Sequence, residues 1–137
     1  MKKTISIKTI RELDGKIRSL SFGDALYRVL ERYSVNVESL AAKTYIDKRN
    51  IYRYLNNDVV PQKATLIQLL VGLEVSYIIS MDLLRAAGFI LNSSYQDIFY
   101  SVLLENPGSL SVIEANELIL EMNKNEKKNI ISEFKIN

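Results

Sequence analysis

Apolar residues recur every three or four positions along most of this chain, which is the period of an α-helix that buries one face. The first clear face follows Ser21 and comprises Phe22, Leu26, Val29, Leu30 and Tyr33. The same spacing predicts further helices over about 37–43, 48–56, the segment after Pro61, 81–87, 95–105 and 112–122. After Pro61 the inward residues are Leu66, Leu69, Leu70 and Leu73. The pattern therefore predicts an all-α fold.

Capping and turn residues place the ends of several helices. Asp47 is the expected N-cap of the third helix, and Ser80 is expected to open the fifth. Gly88 stands where a glycine that ends a helix belongs. Ser111 with Glu114 forms a capping-box pattern at the start of the last helix.

The two ends of the chain are less regular. Residues 4–7 alternate like a strand, but Thr9 and Glu12 form a capping-box pattern that favours a helix over about 10–19. The last fifteen residues are polar and rich in lysine, and we expect them to be frayed or to fold only against a partner.

Composition narrows the class of protein. The 137 residues are 47% apolar and 25% charged, which is typical of a globular domain. The absence of cysteine and histidine excludes disulfides, thiol nucleophiles, Cys/His zinc sites and the commonest general base. With no glycine-rich phosphate loop either, we expect no enzyme activity and no cofactor. The absence of a secretory signal or an unbroken apolar run predicts a soluble, cytoplasmic protein that does not contact membranes.

Charge is segregated along the chain. Residues 1–63 contain 13 Lys/Arg and 7 Asp/Glu, a net charge of +6, whereas residues 64–122 contain one Arg and seven acids, a net charge of −6. A basic amino-terminal half suits a polyanionic partner, and the acidic half is expected to face away from it.

The third predicted helix concentrates this basic character on one face. With Ile51 at the centre of the buried side, a step of about 100° per residue turns the opposite face outward. Arginine can pair with guanine and asparagine with adenine in the major groove of DNA. The predicted base-contacting residues are Lys48, Arg49, Asn50, Tyr52, Arg53 and Asn56.

Flanking residues are placed to contact the phosphates on either side of that groove. These predicted phosphate contacts are Lys43, Thr44, Asn57 and Lys63. The alternative is that the whole basic face is simply solvated.

Residues 21–75 resemble the Cro/λ-repressor-like (XRE-type) helix-turn-helix family. The resemblance is carried by Leu40-Ala41, Ile46, Ile51, Tyr54-Leu55 and the run from Leu55 to Pro61 that leads to Leu66. It implies a helix-turn-helix fold in which a small residue at Ala41 lets two helices cross closely. The chain departs from the family pattern at Tyr45 and Asn57, where glycine is common, and at Val37, where glutamine often binds phosphate.

These observations predict four regions: an arm or helix at 1–20, a helix-turn-helix domain at 21–78, a helical extension at 79–122 and a polar tail at 123–137. On the residues Leu83–Phe89, Asp97–Tyr100 and Glu114–Leu118, the extension resembles one found in some bacterial regulators. Its acidity and surplus of apolar positions suggest self-association or an accessory protein partner, and the alternative is that its helices complete the core.

The expected function is a sequence-specific transcriptional regulator that binds double-stranded DNA as a homodimer. The alternative is a protein-interaction adaptor, antitoxin-like or phage-accessory, that keeps the scaffold without binding DNA.

Overall fold

A computed structural model describes residues 20–136, and this part of the chain contains seven α-helices and no β-strand. The helices are α1 (Phe22–Arg32), α2 (Val37–Thr44), α3 (Lys48–Leu55), α4 (Lys63–Leu73), α5 (Tyr77–Ala86), α6 (Tyr95–Glu105) and α7 (Val112–Glu126). The predicted all-α class is confirmed. The prediction of a helix over 10–19 lies outside the described residues.

Small polar side chains begin most of these helices by accepting a hydrogen bond from the first turn. Ser21 is the N-cap of α1, and Asp47 acts as the predicted N-cap of α3. At α7 the capping box is complete, because the Ser111 hydroxyl accepts from the Glu114 N–H and the Glu114 carboxylate accepts from the Ser111 N–H. Gly88, just beyond α5, has the predicted left-handed backbone with φ +89°.

The predicted start of the fifth helix is wrong. Ser76 caps α5, which therefore begins at Tyr77, and Ser80 lies inside the helix with 1% of its surface exposed. The link from α4 is short because Glu74 ends that helix in a left-handed conformation with φ +59°. Only Val75 and Ser76 are then left between Glu74 and the first turn of α5.

Helix α4 forms the centre of the molecule. Every residue from 66 to 73 is buried, so α4 has more than the single inner stripe that its sequence predicts. It packs against α2, α5, α6 and α7, and buried apolar side chains from α1 to Phe134 form one cluster around it. Leu83, Tyr100 and Ile119 of the helices beyond residue 79 thus lie in the same core as α1–α4, whereas Ile98, Val102 and Leu120 are exposed.

The prediction that the last fifteen residues are frayed is wrong for those that the structure describes. Helix α7 continues to Glu126, and residues 131–136, which we call the return segment, run back along it. Ile131 and Phe134 of this segment are buried, with 0% and 4% of their surface exposed.

Side-chain amides on the helices hold the backbone of the return segment. Asn123 on α7 accepts from the Ile131 N–H at 3.0 Å, and Asn116 accepts from the Phe134 N–H at 2.8 Å. Gln96 on α6 accepts from the Ser132 N–H at 2.7 Å. An extended segment leaves its backbone groups unpaired, and these amides satisfy them in place of a sheet partner.

None of the helices in the described part of the chain combines the length and the apolar character needed to cross a membrane.

Candidate nucleic-acid interface

Helix α3 is anchored on one side by two buried residues. Ile51 has no exposed surface, and Tyr54 has 7% of its surface exposed. The Tyr54 ring meets Phe22 of α1 edge to face, with ring centroids 6.4 Å apart. This packing fixes which side of α3 faces the core, as the apolar spacing predicts.

A close backbone contact sets α1 against the end of α3. A Cβ atom at Gly23 would overlap the backbone carbonyl oxygens of Tyr54 and Leu55, so only glycine permits this approach. Asn57, in the left-handed conformation with φ +60°, completes the contact. Its side-chain oxygen accepts from the Gly23 N–H at 2.8 Å, and its amide nitrogen donates to Asp24 at 3.3 Å. The predicted phosphate contact of Asn57 therefore has to compete with two internal hydrogen bonds.

The opposite side of α3 is an exposed polar surface, which we call the basic face. All six side chains predicted to contact bases are exposed on α3 or at its C-cap: Lys48, Arg49, Asn50, Tyr52, Arg53 and Asn56. The helix itself has three cationic residues and no acid. This face can donate hydrogen bonds and balance negative charge, which is what the edges of base pairs and phosphates require.

Arg49 and Arg53 differ in their surroundings. The Arg49 guanidinium contacts the Asp47 carboxylate at 3.3 Å, although 85% of the Arg49 side chain is exposed. Hydrogen bonds from the Arg49 backbone N–H and side chain hold the pKa of Asp47 below its usual value. Such exposed pairs contribute about 0–1 kcal/mol, so a ligand can displace this contact. Arg53 is exposed and forms no ion pair with any described residue.

The connection between α2 and α3 consists of Tyr45, Ile46 and Asp47. Tyr45 adopts the left-handed conformation with φ +61°, where glycine would be less strained, in keeping with the glycine that the family resemblance implies at this position. Ile46 is buried with 6% of its surface exposed and closes the space between the helices.

Thr44 has a structural role that contradicts its predicted phosphate contact. Its surface is fully buried, and its hydroxyl donates to the Leu40 carbonyl at 2.7 Å and accepts from the Ile46 N–H at 3.3 Å. The hydroxyl therefore stabilises the end of α2 from inside. Lys43 does remain exposed, in a surface pair with Glu74 at 3.4 Å.

Lys63 also has an internal partner instead of a free ammonium group. Its Nζ atom lies 2.7 Å from both carboxylate oxygens of Asp97, a side chain that is only 2% exposed. The same nitrogen donates to the Ile90 carbonyl at 3.5 Å, and the Asn92 N–H donates to Asp97 at 3.0 Å. Lys63 thus links α4 to α6, and its prediction as a phosphate contact is corrected.

Replacing Lys63 with methionine is expected to lower the free energy of unfolding by about 3 kcal/mol, because it leaves the buried Asp97 carboxylate without its counter-ion. Lys43→Met is the matched control. Its partner Glu74 is exposed, so the free energy of unfolding is expected to fall by about 0.5 kcal/mol. Urea unfolding measures both. Equal losses for the two variants would contradict the assignment, whereas Lys63→Met combined with Asp97→Asn should regain part of the loss.

Sequence periodicity does not show that Gln68 and the return segment support the connection between α2 and α3. The side chain of Gln68 donates to the Thr44 carbonyl at 2.7 Å, directly before the connection to α3. No local signal marks this residue, because a single amide within an apolar helix has the same pattern whether or not it bonds a distant segment.

Comparison with protein-family models, with curated proteins and with solved structures finds no significant match to this chain in any of the three.

Proposed function

We propose that this protein is a sequence-specific DNA-binding transcriptional regulator. In this proposal α2 and α3 form a helix-turn-helix of the Cro/λ-repressor type, and α3 enters the major groove. An α-helix with its side chains is about 10–12 Å across, which fits a major groove about 12 Å wide.

The observation that carries the proposal is the contrast between the two sides of α3. One side is fixed by Ile51 and Tyr54, and the other exposes six polar or cationic side chains with no acid among them. A rigid helix presenting arginine and asparagine is the arrangement used for direct reading of base pairs. Arg53 is the strongest candidate for a base contact, because no described residue neutralises its guanidinium.

The internal contacts of Thr44 and Lys63 leave a smaller set of phosphate contacts than the sequence predicts. Lys43 can exchange its exposed pair with Glu74 for a phosphate at little cost. Lys48, at the amino end of α3, belongs to the basic face itself.

The proposed binding unit is a homodimer. Two copies of α3 separated by about 34 Å would read successive major-groove faces, so the expected site is a pseudo-palindrome.

Binding to duplex DNA is expected to weaken steeply as salt rises. Each phosphate neutralised contributes about −0.9 to the slope of log affinity against log salt concentration. Selection from a random duplex pool should identify the binding site. Titration of that site between about 50 and 200 mM salt should then give the slope, because a protein with several phosphate contacts loses about 10³-fold in affinity over this interval. Lys43→Met is expected to reduce the slope by about one unit, and Lys63→Met is expected to leave it unchanged.

Failure to enrich any site, together with no salt-dependent binding to mixed genomic fragments, would overturn this proposal. A protein-interaction adaptor would then be the better account of the protein's function.

A further inference from the structure

Gln68 is a polar residue at the centre of an apolar helix. It has no exposed surface, and every residue from Leu66 to Leu73 around it in α4 is buried as well. Burying an amide is costly unless its hydrogen bonds are made, and an apolar side chain of the same size would avoid that cost. The Gln68 amide makes these hydrogen bonds with two other segments of the chain.

The Gln68 amide joins two segments that are remote from each other in sequence. Its Nε2 atom donates to the Thr44 carbonyl at 2.7 Å and to the Lys135 carbonyl at 2.8 Å. Its Oε1 atom accepts from the Lys135 N–H at 2.9 Å. One side chain therefore binds the end of α2 and the backbone of the return segment together.

The Thr44 carbonyl is next to the start of α3. Thr44 is the last residue of α2, Tyr45 follows in a left-handed conformation, and Asp47 caps α3. Because the connection is only three residues long, the orientation of the Thr44 peptide constrains the direction in which α3 leaves. Three buried hydrogen bonds hold this end of α2: the Gln68 amide donates to the Thr44 carbonyl, and the Thr44 hydroxyl donates to the Leu40 carbonyl and accepts from the Ile46 N–H.

We propose that Gln68 is a positioning residue for the basic face, and that it makes the angle of α3 depend on the return segment. This inference rests on the proposed function, since the property it controls is the discrimination of one DNA site from another. Base contacts require α3 to sit correctly in the groove, whereas phosphate contacts tolerate displacement.

The test compares Gln68→Met with Ile119→Ala, a substitution of a buried residue on α7 whose apolar side chain cannot hydrogen-bond the Thr44 carbonyl. The measured quantity is the ratio of affinities for a selected site and for mixed genomic fragments, at a temperature where both variants are folded. Gln68→Met is expected to lower this ratio about tenfold, equivalent to one lost base contact, with an unchanged salt slope. Ile119→Ala is expected to keep the wild-type ratio despite its lower thermal stability.

A second pair of variants changes the other side of the contact. Lys135→Pro removes the backbone N–H that donates a hydrogen bond to the Gln68 side-chain oxygen. Glu133→Pro, in the same segment, removes an N–H that donates to no described residue. Faster hydrogen exchange of the amides at 45–49 is expected in Lys135→Pro and not in Glu133→Pro.

The outcomes separate the two proposals. A wild-type protein that discriminates between sites, with Gln68→Met discriminating equally well, would overturn the positioning role alone. An equal fall in the ratio for Ile119→Ala would overturn it too, because lost stability would then explain the effect. A wild-type protein with no salt-dependent DNA binding would overturn both proposals.

Discussion

Replacing Arg49 and Arg53 together with alanine is expected to reduce the affinity for a selected DNA site by about a hundredfold, since each bidentate contact to a base is worth about 1–3 kcal/mol. The free energy of unfolding should change by less than about 0.5 kcal/mol, because both side chains are exposed. Arg53→Ala alone should have the larger effect. Arg49 gives up its contact with Asp47 when it binds, which reduces its net contribution.

The matched control removes two positive charges from another part of the surface. Lys124 and Lys128 are exposed at the end of α7, and their joint replacement with alanine should change the same affinity by no more than about threefold. Titration of the selected duplex at one fixed salt concentration measures all the variants. Equal losses for the arginine and lysine pairs would mean that net charge, and not the basic face, determines binding.

Replacing Phe134 with alanine is expected to lower the free energy of unfolding by about 3 kcal/mol, because its ring is buried in the core. This effect is large for a residue so far along a polar, lysine-rich segment. Urea unfolding followed by circular dichroism measures it directly.

Glu133→Ala tests whether that loss comes from packing. Glu133 is the exposed neighbour of Phe134 in the return segment, so a change of less than about 0.5 kcal/mol is expected. If Phe134→Ala were as stable as Glu133→Ala, the return segment would not be packed on the helices in solution.

The sequence predicts those features that depend on neighbouring residues. The caps at Ser21, Asp47 and Ser111 are local hydrogen bonds, and the exposed side of α3 follows from the spacing around Ile51. The DNA-binding function and the homodimer stay predictions.

The errors have a common physical cause, which is pairing between residues far apart in the chain. Lys63 has the charge of a phosphate contact, but its partner Asp97 is 34 positions away. Thr44 is polar, yet its burial depends on the packing of α4 against it, where a Cβ atom at Gly72 would overlap its methyl group. The return segment is only six residues long, and the amides that hold it lie on three different helices.

The 67-residue separation between Gln68 and Lys135 has a consequence for biosynthesis. Contacts between remote positions close late in folding, because the intervening chain must first be ordered. A nascent polypeptide can therefore form α3 long before the ribosome has delivered the residues that pack against α4, α6 and α7. Until then the groove awaiting Ile131 and Phe134 is open, and chaperones or proteases meet a surface that the mature protein conceals.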